Sequence, residues 1–110
     1  MANHRLDAIT AAPDHHSVMF ENDRVRVLDT RLEAGQRTPV HAHEWPAALY
    51  ILGWSDFLRR DAQDAIIADS RERPAVAPGS TLWIDPLPPH SVENIGFALL
   101  HIIAVEVKAS

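Results

Sequence analysis

The sequence predicts an all-β domain, a small closed barrel or sandwich. Short runs rich in β-branched and aromatic residues recur along the chain, and Gly, Pro, Asn and Asp interrupt them at close intervals. No stretch sustains a helical period. With 110 residues there is room for one core of ordinary domain size. A hydrophobic share of 46% against a charged share of 23% is the composition of a folded globular chain.

Residues 1–16, rich in Ala, Asp and His, read as an N-terminal arm or edge strand, and residues 17–110 as the barrel. The first strands are expected over residues 17–20 and 24–32, joined through Glu21-Asn22-Asp23, where Asn and Asp tolerate the positive φ of a reversal. Gly35-Gln36 breaks the chain before a strand at 38–42. Further strands are expected at 47–52, 57–60, 66–69, around Val76, and at 81–84, 91–95 and 98–108. In the last run, Phe97, Leu99, His101, Ile103, Val105 and Val107 share one face, apolar apart from His101, so that face is expected to look inward. The 24–32 run is less regular: Val25 and Val27 lie on one face, Leu28 and Leu32 on the other. That predicts a bulge near Leu28 or burial on both sides.

Composition excludes several functions. Ten basic against fifteen acidic residues give a net charge of −5, which argues against a phosphate-backbone partner, so no nucleic acid is expected. Cysteine is absent, which removes disulfides, thiolate ligands and a cysteine nucleophile. The longest apolar run, 98–105, is interrupted by His101 and is too short to span a bilayer. No signal-peptide pattern opens the chain, so the expectation is a cytoplasmic protein without membrane contact. Lys108 is the one lysine beside nine arginines, the usage of a GC-rich bacterial genome.

His41 and His43 are one residue apart, which on a strand puts both rings on one face. Strand rise separates them by about 6.6 Å, so both can tilt toward one ion at roughly 2.0–2.1 Å from each nitrogen. His90 is the candidate third ligand, because Pro86, Pro88 and Pro89 stiffen the approach to it and reduce the entropy lost in fixing its ring. His101 and Tyr50 are candidates to support the site from behind; the plainer readings are a hydrogen-bonded core histidine and an ordinary buried tyrosine. His4, His15 and His16 read as solvated arm residues, with His15-His16 able to reach a partner subunit. Trp45, Trp54 and Trp83 read as packing at strand ends, Arg24 and Arg26 as a solvated or interface face, and Arg59-Arg60 and Arg71-Glu72-Arg73 as charged turns.

Gly35, five residues, then His41-Ala42-His43 resembles the start of the first cupin motif, G-x5-H-x-H-x3–4-E-x6-G. Gly79, ten residues, His90, three residues and Asn94 resemble the second, G-x5-P-x-G-x2-H-x3-N. The resemblance covers residues 35–94 and implies a small single-domain cupin, a jelly-roll (double-stranded β-helix) barrel. It also implies one divalent ion (iron, zinc, manganese, nickel or copper) on the motif histidines, here His41, His43 and His90. The chain departs from the pattern where the family's glutamate should fall, because positions 47 and 48 are both alanine. Glu44 should point to the opposite face, Gly53 falls short of the closing glycine, and Asp85 and Leu87 replace the usual proline and glycine.

Three neutral imidazoles leave the ion its charge and an open position, which should attract a small anionic ligand such as a carboxylate, enolate or hydroxide. The implied functions are a dioxygenase-like or isomerising metalloenzyme, or alternatively a non-catalytic metal- or ligand-binding barrel acting as sensor or store. Thiol dioxygenases share the missing glutamate, but their Ser-His-Tyr set is absent, since Leu99 and Ile103 flank His101. The family also suggests a homodimer with the arm as a swapped element. A chain this short should hold a cavity near the lower end of roughly 300–1,000 Å³.

Overall fold

Strands dominate the computed structural model, which describes residues 4–109; Met1–Asn3, Ser110 and the side chain of His4 lie outside it. In chain order the strands are β1 (His16–Glu21), β2 (Val25–Leu32), β3 (His41–His43), β4 (Ala47–Gly53), β5 (Phe57–Asp61), β6 (Ile66–Asp69), β7 (Thr81–Ile84), β8 (Leu87–Asn94) and β9 (Leu100–Val107). One antiparallel sheet runs β1-β2-β9-β4-β7 and the other β3-β8-β5-β6. The two sheets face each other as a jelly roll and do not close into the expected barrel. Residues 73–80, where a strand around Val76 was expected, contain Pro74 and Pro78, carry no strand, and leave β6 and β7 as free edges. Among the described residues no helix is long and apolar enough to cross a membrane.

The inward face of the five-stranded sheet follows from its register. Arg26, Leu28, Thr30 and Leu32 of β2 oppose Glu106, Ala104, Ile102 and Leu100 of β9, which in turn align with Ala47, Leu49 and Ile51 of β4. Leu28, Ala47 and Ala104 form the buried core, with Ile9, Leu49 and Ile84 packed on it. The inward set of β9 is therefore the opposite of the expected one: Glu106 is 1% exposed, whereas Phe97 is fully exposed. Both faces of β9 are largely apolar, so hydrophobicity could not choose between them. The pairing with Leu28 and Leu32 does. The irregularity expected near Leu28 lies across the ladder in β1, where Val18 opposes Leu28 and Phe20 opposes Val27, leaving Met19 as the extra residue.

The described part of the N-terminal segment packs against β1 and β3. Asp7 caps a one-turn helix α1 (Ala8–Ala11) by accepting from the Ile9 amide, and Ala8 and Ala12 are fully buried. Gly35 and Gly79 have φ of +83° and +89° with open space around them, so backbone conformation demands glycine there. Asn94 locks the Gly35 turn to the sheet: its carbonyl accepts from Gly35 and its amide donates to the Gln36 carbonyl. Its buried side chain accepts from the Ser55 hydroxyl and the Gly96 amide and donates to the Leu32 and Ala98 carbonyls.

Replacing Asn94 by Leu strands those partners without water, and the expected loss is about 3 kcal/mol in urea unfolding. Ser55→Ala should cost only about 1 kcal/mol, as the loss of a single hydrogen bond. Equal, negligible losses for both would remove Asn94 from its structural role.

Candidate metal centre

Four imidazoles converge between the sheets. His41 on β3 pairs directly with His90 on β8, and their ring centres are 4.5 Å apart. His43 lies on the same face of β3, 5.1 Å from His41 and 5.6 Å from His90. His16, at the start of β1 in the opposite sheet, stands 4.8 Å from His41 and 5.6 Å from His43. The ligand nitrogens of His16, His41 and His43 all lie within 4.8 Å of one another, close enough to bind one ion. Sequence reasoning placed His16 in solvent; instead it is 5% exposed. No local signal marks it: the rest of β1 is exposed on both faces, and His16 turns inward through its pairing with Thr30 of β2.

Each ring is pinned through Nδ1. His41 donates to the Pro39 carbonyl at 2.9 Å, and His90 to the Pro88 carbonyl at 2.8 Å. The spacing is the same in both, P-x-H, with each ring folded back on a proline two residues earlier. His16 donates to the Ala12 carbonyl at 3.0 Å, just beyond α1. His43 donates to Glu106 Oε2 at 3.2 Å. A carbonyl or carboxylate can only accept, so in every neutral ring the proton sits on Nδ1 and the lone pair on Nε2. A metal-binding histidine needs this arrangement: one nitrogen oriented by an acceptor, the other free.

β8 begins earlier than expected, at Leu87, and includes Pro88 and Pro89. The ladder tolerates them because the β3–β8 register slips between His41↔His90 and His43↔Leu87. Pairing of β8 with β5 ends at His90↔Asp61, so the prolines face no β5 partner.

A buried ion network backs the site. Arg26, expected on a solvated face, is 7% exposed; it pairs with Glu106 at 2.6 Å and with both oxygens of Asp7, at 2.8 and 3.0 Å. Burial works against the Asp7 carboxylate, yet the Arg26 hydrogen bonds and charge hold it below the usual range. The register also places Glu106 directly beside Ala47, one of the two alanines standing where the motif has glutamate. A carboxylate is thus present on the neighbouring strand, and it holds His43 from behind.

Tyr50 and His101 do not meet these rings. Tyr50 opposes Ile103 on the outer face of the sheet and is 44% exposed, and His101 on that same face bonds Asp29 through Nε2 at 2.8 Å. Both were expected inside on the parity that the β2–β9 register reverses. His15 bonds the Arg31 carbonyl at the surface. The cavity in front of the imidazoles measures about 770 Å³, above the expected lower range, because the sheets stay open at β6 and β7.

No family model matches the sequence, and no curated protein does. Solved structures match the fold. A cupin domain from Bordetella pertussis Tohama I superposes with a TM-score of 0.69 at 19% identity, over 86% of this chain and 92% of that one. An RmlC-like cupin family protein from Methanocaldococcus jannaschii, with a double-stranded β-helix fold, gives 0.58 at 13% identity over 84% and 77%. The polyketide cyclase RemF from Streptomyces resistomycificus gives 0.58 at 22% identity over 88% and 67%.

Burial first, and then mutual repulsion, pushes the pKa of His16 and His90 from 6.5 down to about 3; burial chiefly takes His41 to about 4. An unfolded chain takes up protons on these rings near pH 6.5, while the folded rings stay neutral until well below pH 5. Stability is therefore complete above pH 6.5 and lost as the pH falls toward 4. The melting temperature of metal-free protein should drop steeply between pH 7 and about 4.5, and less steeply in His16→Asn. Identical profiles for the two proteins would contradict the buried neutral state of His16.

Proposed function

Taking as premise that this chain has the cupin fold, we propose that it holds one divalent metal ion on His16, His41, His43 and His90 and offers the ion's remaining positions to a small anionic ligand. The observation that carries this reading is the common orientation of the four rings, each Nδ1 committed to an acceptor and each Nε2 left free. The donor set fits a borderline transition metal (zinc, iron, manganese, nickel or copper), all of which accept imidazole. His16, His41 and His90, held neutral by burial at physiological pH, bind without first releasing a proton. Four neutral donors leave the ion's charge uncompensated within its own shell, which favours an anion as the exchangeable ligand.

Bound there, the ion would polarise a carbonyl or activate water, and a redox-active one would serve oxygen chemistry. The chain's own residues bind and orient. Pro39, Pro88 and Ala12 fix three rings through backbone carbonyls, Glu106 fixes the fourth, and the surrounding apolar wall limits bulk water. RemF, of the same fold, is a polyketide cyclase, so redox-neutral chemistry such as isomerisation stands beside a dioxygenase-like reaction for this chain. A non-catalytic sensor or store is the second reading, and full saturation by an inert ion without exchangeable ligand would favour it.

Metal content and cobalt spectra test the site. Each of His16→Ala, His41→Ala, His43→Ala and His90→Ala should weaken cobalt binding more than tenfold, and Glu106→Gln by roughly ten- to a hundredfold. His101→Ala, on the outer face, should leave occupancy unchanged. Undiminished binding in all four variants would refute the centre, and undiminished binding in His16→Ala alone would return the ligand set to His41, His43 and His90.

A further inference from the structure

The cavity has a second polar feature away from the imidazoles. Among the described residues, two buried side-chain nitrogens lack any hydrogen-bond partner, Trp54 Nε1 and Arg59 Nε, and both residues line this cavity. Phe57 links them: its ring centre lies 5.6 Å from that of Trp54, and the Arg59 guanidinium carbon stands 5.8 Å from the same ring. Arg59 opposes Val92 on β8, two positions along that strand from His90. Strand rise puts that level about 7 Å from the metal centre's own.

Among the described residues, no carboxylate pairs with Arg59. Its neighbour Arg60, on the other face of β5, pairs with Glu93 at 2.6 Å. Of the three acidic residues on the cavity wall, Asp69 and Glu106 are committed to Arg71 at 2.8 Å and Arg26 at 2.6 Å, Glu72 is exposed, and among the described residues no ion pair reaches Arg59. Burial, and then the nearby Arg73 charge, pushes its pKa below the usual arginine range, so it is a cation held in an unfavourable place. A guanidinium still stays protonated there, and an unmet buried donor beside an unpaired charge destabilises the fold until an anion arrives.

We propose that Arg59 and Trp54 form a carboxylate-binding subsite, so that the ligand is a small molecule with a metal-coordinating oxygen at one end and a carboxylate at the other, the class of the dicarboxylic and 2-oxo acids. The metal-coordinating end rests on the four-histidine reading; the carboxylate end does not. Guanidinium and indole N–H groups can donate to the two oxygens of one carboxylate, and the wall between them is aromatic.

Titration of metal-free protein with succinate, followed by the nitrogen-15 resonances of the Trp54 indole and the Arg59 Nε, tests the subsite without any metal. Both resonances should shift and saturate together, and in Arg59→Gln the Trp54 response should vanish while the rest of the spectrum stays that of a folded protein. With cobalt bound, Arg59→Gln should keep its occupancy yet bind succinate at least tenfold more weakly, and Arg59→Lys should recover part of the loss. Failure of cobalt to bind, with the metal-free titration behaving as expected, would overturn the metal centre and leave the subsite standing. Unmoved resonances in the metal-free protein, or succinate affinity unchanged in Arg59→Gln, would overturn the subsite.

Discussion

Arg26 is a cation inside a small jelly roll, and the architecture around the histidines depends on how it is held. Asp7 grips one side of its guanidinium and Glu106 the other. Asp7 also caps α1, whose trailing Ala12 carbonyl fixes His16, while Glu106 fixes His43. One buried charge thus ties the N-terminal segment, β2 and β9 to two of the four rings. Removing Arg26 would leave two carboxylates uncompensated in the interior, at a cost of about 3–5 kcal/mol. Two carboxylates and one guanidinium leave one net negative charge directly behind His43. The compensation that a coordinating glutamate would give an ion from within its shell would come here from outside it.

What the sequence made legible was local. H-x-H on a strand, the distance from Gly79 to His90 and the glycines at positive φ depend on spacing along the chain, and spacing survives in the sequence. His16 and Glu106 were not legible because their roles come from register. His16 reaches the rings only because β1 pairs with β2 so that Thr30 opposes it, and Glu106 turns inward only because Arg26 does. Tyr50 and His101 were misplaced for the converse reason: β9 is apolar on both faces, so alternation alone carried no direction. Arg59 was read as part of a turn because two adjacent arginines look solvated, although on a strand adjacent residues take opposite faces. The open sheet edges likewise depend on Pro74 and Pro78, which flank Val76 and exclude the strand expected there.

The interior is chemically polarised. At one end the imidazoles present lone pairs and no protons; toward the other, Trp54 and Arg59 present protons and no lone pairs. Apolar side chains such as Leu49, Ile51 and Leu100 line the same cavity. In so small a fold, this volume stays unfilled at the expense of the core, which is confined to a few residues around Leu28, Ala47 and Ala104. Packing that would otherwise stabilise the domain is given over to a space lined by groups awaiting partners.

The four rings do not come from one sheet. His16 belongs to the five-stranded sheet and His41, His43 and His90 to the four-stranded one. An ion held by all of them would therefore be a cross-link in a chain that has no cysteine with which to make one. It would close a loop from residue 16 to residue 90, most of the length of the chain, and restrict the unfolded ensemble as a long-loop disulfide does. Loading and release would then be gated by separation of the sheets, so the resistance of this fold to opening and its hold on the ion would be a single kinetic property.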